Sequence, residues 1–243
     1  GNMETKIHQN ETYLGIDKSY ISEFVYGGID GAITTFAVVA GATGASLDIS
    51  VVIILGLANL IADGFSMSVG NYFSTQAEQD NYDRNRRTEN WEIDNLRDTE
   101  IDEIRQIYAA KGFEGELLEQ VVATITADRD VWLDTMMREE LSMIKDHRAP
   151  VKTATVTFIS FVLVGIIPLL SYLFAALVPG SQQYLFVISC GATGFALMII
   201  GQLKSIVTGK SRFRGTMETL ILGGLAAFVA YYVGFVLEKA LFN

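Results

Sequence analysis

The sequence predicts an all-α integral membrane protein with five transmembrane helices and a small cytosolic three-helix domain inserted between helices 2 and 3. Three observations carry that prediction. Half of the 243 residues are hydrophobic, yet the chain holds 18 Lys and Arg and 28 Asp and Glu, so apolar and charged residues must occupy different stretches. Nineteen of the 28 acids fall between residues 76 and 149. On either side of that segment stand five apolar runs of 22 to 28 residues, enough at ~1.5 Å rise per residue to cross a hydrocarbon core ~30 Å thick. The chain thus divides into a polar lead-in (1–22), helices 1 and 2 (23–75), an acidic helical domain (76–149) and helices 3 to 5 (150–243).

The lead-in carries Lys6, Glu11, Asp17 and Lys18 and shows no chemistry of its own. The first apolar run, 24–46, has Asp30 as its one charge, and the second, 51–75, has only Asp63. The third, 151–178, follows Pro150 and contains Pro168, which should kink it, because proline lacks an amide donor and crowds the preceding turn. Pro179-Gly180 should end it. The fourth and fifth runs, 184–207 and 216–237, contain Gly194, Gly201, Gly223 and Gly224 among other glycines, small residues that let helices approach closely in lipid. Lys and Arg set the orientation. The links after runs one and three have none, the acidic segment has ten, and the link 209–215 has Lys210, Arg212 and Arg214. By the positive-inside rule the amino terminus and the acidic segment are cytosolic and the carboxyl terminus lies on the opposite side.

The acidic segment reads as helices. One runs from 78 to about 96 and restarts near Asp98 or Thr99, stopping at Lys111-Gly112. A second spans 115–125 and a third 130–144. Ile104, Leu118, Val122, Trp132 and Leu133 give them something to pack on. The net charge of -10 is concentrated here, the opposite of the basic footprint that a nucleic-acid partner requires. The lone Cys190 excludes an intramolecular disulfide framework.

Two constellations carry chemistry. In residues 57–72, LANLIADGFSMSVGNY, the side chains of Asn59, Asp63, Met67 and Asn71 recur every four residues and share one helix face. A bare charge inside hydrocarbon costs ~2.5 kcal/mol or more, so Asp30 and Asp63 need a purpose, and only Lys204 is an obvious internal partner. Asp30 and Met67 both lie roughly 10 to 14 Å below the cytosolic surface, a depth at which they can face each other. Asp63 is one turn deeper and Asn59 one turn beyond. Magnesium and calcium prefer oxygen alone, whereas a thioether admits first-row transition ions. Methionine also fills helix interfaces for packing reasons alone; beside two buried acids, transport is the stronger reading.

The second constellation is Glu89, Glu92, Glu100 and Glu103, which fall within about 80° of one another on a continuous helix, with Met136, Glu139 and Glu140 on the third soluble helix. Clustered carboxylates repel, and cations relieve the repulsion. An ordinary solvated acidic face has the same composition. Other signals fail: Gly209-Lys210-Ser211 lacks the earlier glycine of a phosphate loop, neither His8 nor His147 has a glutamate three residues before it, as di-iron bundles need, and no nucleophile is paired with a base.

Three stretches together resemble the vacuolar iron transporter family and its prokaryotic relatives: Gly28-Ile29-Asp30-Gly31-Ala32 with Thr34-Thr35-Phe36-Ala37-Val38-Val39-Ala40-Gly41; Gly56-Leu57-Ala58-Asn59-Leu60 with Ala62-Asp63-Gly64-Phe65-Ser66-Met67; and Asp134-Thr135-Met136-Met137-Arg138-Glu139-Glu140-Leu141. The resemblance implies a homodimer of five-span protomers with the ion path between the copies. It implies proton-coupled export of Fe2+, and often Mn2+, from the cytosol, with Asp30 and Met67 carrying the intramembrane site. In the soluble helices it implies metal binding through Glu89, Glu92, Glu100 and Glu103 with Met136 and Glu139 or Glu140. Some family members place an acid where Asn59 stands here. The expectation is therefore a transporter and not an enzyme, with a divalent metal as substrate, protons and the bilayer as partners, and no organic cofactor or nucleic acid. The membrane would be the plasma membrane in a prokaryote and the vacuolar membrane in a eukaryote. The rival reading is a membrane-anchored metal store or sensor that does not transport.

Overall fold

The computed structural model describes residues 12–13, 16–17, 20–178, 184–209 and 211–242. The Pro179-Gly180 stop, Lys210 and most of the lead-in lie outside the described residues. The chain forms two compact units, one of residues 1–73 with 148–243 and one of residues 74–147. Apart from a two-residue antiparallel ladder between β1 (Thr12–Tyr13) and β2 (Ile16–Asp17), the described elements are helical. Five of those helices are long and apolar enough to cross a membrane. The protein is a multi-pass membrane protein.

In the first unit, α1 (Ile21–Gly44) is the central helix. Half of its apolar window is buried, against 22% for α2 (Ile49–Asn95) and 17% for α9 (Arg212–Phe242). Its sequence explains the position, because glycines on two faces admit two neighbours. A Cβ at Gly31 would stand 2.3 Å from the Phe161 carbonyl oxygen of α6 (Pro150–Gly165). On the other side, a Cβ at Gly234 of α9 would stand 2.1 Å from the Gly41 carbonyl. In lipid, where apolar side chains gain little by meeting each other, such backbone approach is what packs helices. Hydroxyls on α6 turn inward without stranding polar atoms: Thr157 donates to the Thr153 carbonyl at 2.8 Å and Ser160 to the Thr157 carbonyl at 3.2 Å.

The kink expected at Pro168 is present. Helix α6 stops at Gly165, a 3-10 turn covers Ile167–Leu169, and α7 (Leu170–Leu177) completes the span. Leu169 is fully buried with Val52, Val39 and Tyr172. The hydroxyl of Ser189, on α8 (Leu185–Thr208), donates to the Pro168 carbonyl at 2.7 Å, tying α8 to the bend.

In the second unit, the end of α2 is followed by α3 (Arg97–Ala110), α4 (Gly115–Ala127) and α5 (Arg129–Glu139). Their core is Ile93, Ile104, Val122, Ile125, Trp132, Leu133 and Met136. Two boundaries differ from the sequence reading. The first helix stops at about Leu96, as read, but the next restarts at Arg97, one residue before Asp98; Leu96 leaves helical dihedrals (φ -125°, ψ 34°) yet still donates to Glu92 at 2.6 Å and accepts from Glu100 at 3.1 Å. Helix α5 ends at Glu139, not near Ile144, because the chain turns back on itself. Ser142 adopts a left-handed φ of 53° and the Met143 amide donates to the Met137 carbonyl at 2.8 Å. At the other end of α5, the Asp128 carboxylate caps the helix by accepting from the Asp130 and Val131 amides.

Candidate metal centres

Helices α1 and α2 supply the intramembrane candidates. Asp30 is exposed on an otherwise well-covered helix, and Asn59, Asp63 and Met67 are half-buried along α2. Thr34, one turn along, donates its hydroxyl to Asp30 Oδ1 at 3.2 Å, which orients the carboxylate and leaves Oδ2 for another partner. The amide nitrogen of Asn59 is buried and makes no hydrogen bond, so this residue has an unused donor as well as a carbonyl oxygen. Asn71, the fourth residue of the sequence ladder, is tied to a neighbouring helix. Its amide donates to Thr157 Oγ1 on α6 at 2.7 Å.

Lys204, the one cation that the sequence offered as an internal partner for these acids, is bound elsewhere. Its ammonium contacts Glu218 Oε2 at 2.9 Å, and Arg214 holds the other oxygen of that carboxylate at 3.3 Å. Sequence reading also passed over Glu23, which is buried in the first turn of α1 and ion-paired with Arg148. A signal was present: an acid seven residues before Asp30 and a basic residue immediately before the third span.

Two groups stand out among the many acids of the second unit. Arg129 holds Asp94 at 2.6 Å, Arg105 holds Glu119 at 2.8 Å and Asp102, Arg86 holds Asp134, and Lys111 holds Glu139 at 2.5 Å. Among the described residues, Glu89, Glu92, Glu100, Glu103 and Glu140 have no such cation, and they act on one another. Burial pushes the Glu89 carboxyl up to about 7, helped by Glu140, Glu100, Glu92 and Glu103. Burial likewise takes Glu100 to about 7, with Glu103, Glu92 and Glu140 adding to it. Glu140 is raised by burial and by Glu103 and Glu92. Glu89 and Glu100 are 4% and 3% exposed, and each has one buried carboxylate oxygen without a partner. Met136 and Met137, on α5, are fully buried.

The structure therefore joins Glu140 to the cluster and gives Glu139 to Lys111, a distinction the sequence left open. Among the described residues, no three His, Cys, Asp or Glu side chains stand close enough to close around one ion. The five carboxylates form an open set of like charges.

A model of the VIT family matches residues 21–235 of the chain. The chain is 33% identical over 234 residues to the vacuolar iron transporter of Toxoplasma gondii, covering 94% of this chain and 78% of that protein. It is 35% identical over 212 residues to vacuolar iron transporter 1 of Oryza sativa, covering 87% and 82%. With vacuolar iron transporter 1 of Arabidopsis thaliana it shares 34% identity over 219 residues, covering 90% and 86%.

Proposed function

Since the chain belongs to the VIT family, we propose that it is a proton-coupled transporter that exports Fe2+, and also Mn2+, from the cytosol across its membrane. The observation that carries the proposal is the pair of intramembrane acids, Asp30 exposed on α1 and Asp63 half-buried on α2, neither of which is ion-paired among the described residues. A divalent ion is the natural counter-charge. Asp30 supplies Oδ2, Asp63 supplies a second carboxylate, and Met67 adds the sulfur that favours a transition ion over magnesium or calcium. Asn59, a neutral amide one turn beyond Asp63, passes the ion on without adding charge.

Export follows from competition. A carboxylate that binds a proton gives up its claim on a metal, so protons entering from the opposite side release the ion there and return inward. The acidic unit lies on the cytosolic side, where Glu89, Glu92, Glu100, Glu103 and Glu140, with the sulfur of Met136, collect the ion. Glu139 serves that unit as the partner of Lys111. The functional assembly is a homodimer in which a second copy covers the exposed Asp30 and the sparsely buried face of α2; an uncovered carboxylate in lipid is too costly to persist.

Metal uptake into proteoliposomes tests the selectivity that this site implies. Fe2+ and Mn2+ should compete with each other, Mg2+ should compete with neither, and Met67→Leu should erode the preference for Fe2+ over Mg2+. Equal competition by Mg2+ in the parent chain would remove the thioether from the path.

A further inference from the structure

Helices α1, α8 and α9 flank an open apolar cavity of about 440 Å³. Its walls include Phe36, Phe186 and Tyr231, whose rings stack in series with centroids 6.1 and 5.9 Å apart. No charged side chain lines it. Two features mark it as a built site. The first is the pair Gly194 and Gly224, which line the cavity although no neighbouring atom lies within 4 Å of a Cβ placed on either. Helix packing does not require glycine there, in contrast to Gly31 and Gly234; their missing side chains leave the space open. The second is Thr193, in the cavity wall and fully buried, whose hydroxyl has no hydrogen-bond partner. A buried hydroxyl without a partner is costly.

We propose that this cavity is a binding site for a neutral, lipid-soluble molecule carrying a single hydroxyl or carbonyl oxygen, held by the aromatic wall and hydrogen-bonded to Thr193. A mostly apolar pocket of a few hundred cubic ångströms with one convergent polar group is the usual form of a small-molecule site. Entry is from the bilayer, because Gly224, Phe228 and Tyr231 at the mouth are exposed. A charged amphiphile finds no counter-ion inside. An unsubstituted hydrocarbon chain leaves Thr193 as unsatisfied as before. The site uses none of the metal-binding residues and stands independently of them.

The test uses the full chain in phosphatidylcholine nanodiscs with photoreactive azioctanol, a neutral chain with one hydroxyl. The control is phosphatidylcholine bearing the same photoreactive group on an acyl chain. Mass spectrometry should place the azioctanol adducts on cavity residues, and excess octanol should suppress them. Gly224→Leu, which fills the space without a backbone clash, should abolish these adducts while leaving thermal stability unchanged. Thr193→Val should weaken labelling about two- to tenfold, the range of a single neutral hydrogen bond. Equal labelling by the phosphatidylcholine probe, or indifference to Thr193→Val, would show an acyl-chain groove and overturn the proposal. A disulfide formed between two copies through Cys190, the chain's single cysteine and part of the cavity lining, would show that a second copy fills the site, and would also overturn it.

Discussion

Glu139 and Glu140 are neighbours in sequence and differ in environment, one ion-paired with Lys111 and the other set among the buried carboxylates. Glu140→Gln should weaken Mn2+ binding to the protein by about tenfold or more, the scale of losing one charged contact. Glu139→Gln removes a surface ion pair worth about 0–1 kcal/mol and should leave the affinity unchanged. Isothermal titration on both variants checks this, and equal losses would mean that Glu139 also binds metal. Glu89 and Glu100 make a pH prediction. Their carboxyls are raised to about 7 from an ordinary 4.5, so the folded unit holds protons that the unfolded chain has already lost. Stability is therefore highest below pH 4.5 as far as these groups decide it, and falls as pH rises toward 7. Amide exchange in α3 to α5, corrected for intrinsic rates, should show stronger protection at about pH 5 than at about pH 7. Glu89→Gln should flatten the difference, and a parent chain equally protected at both pH values would contradict the cause given.

At the scale of elements, the packing of α1 rests on positions where no side chain fits. Gly31→Leu would drive a side chain into the Phe161 carbonyl and should destabilise the membrane unit by at least the ~1–3 kcal/mol typical of overpacking, seen as a lower melting temperature in detergent. The Glu23–Arg148 pair makes a second case. Arg148→Gln strands a buried carboxylate, a loss on the order of 3–5 kcal/mol, whereas Arg148→Gln with Glu23→Gln should recover most of it. A double variant no more stable than the single one would mean that the carboxylate is not the source of the loss. Spans and kink were legible because hydrocarbon thickness and proline chemistry act locally. The end of α5 was not: Leu141 to Ile144 continue an apolar pattern, and the left-handed turn at Ser142 that stops the helix carries no glycine to announce it.

For the whole molecule, the reach of sequence reading follows the same division. Asp30, Asp63 and Met67 stood out because charge and sulfur in an apolar run are costly or unusual wherever they occur. The fate of Lys204 was hidden, since Glu218 lies fourteen residues away across a helix turn-around, and nothing local distinguishes it from a partner for the acids. The partner of Asn71 was hidden for a related reason: four-residue spacing predicts a shared face, but the hydrogen bond to Thr157 depends on which helix lies opposite. The central claim is that metal crosses the membrane through Asp30 and Asp63 in exchange for protons. Its most direct test is Fe2+ flux into proteoliposomes carrying a lumenal metal dye and an imposed pH gradient, acid inside. Flux should rise with the gradient, collapse when a protonophore dissipates it, and fall at least about tenfold in Asp30→Asn, the loss expected when one charged ligand is removed. Flux that ignores both the gradient and the Asp30→Asn substitution would contradict the account.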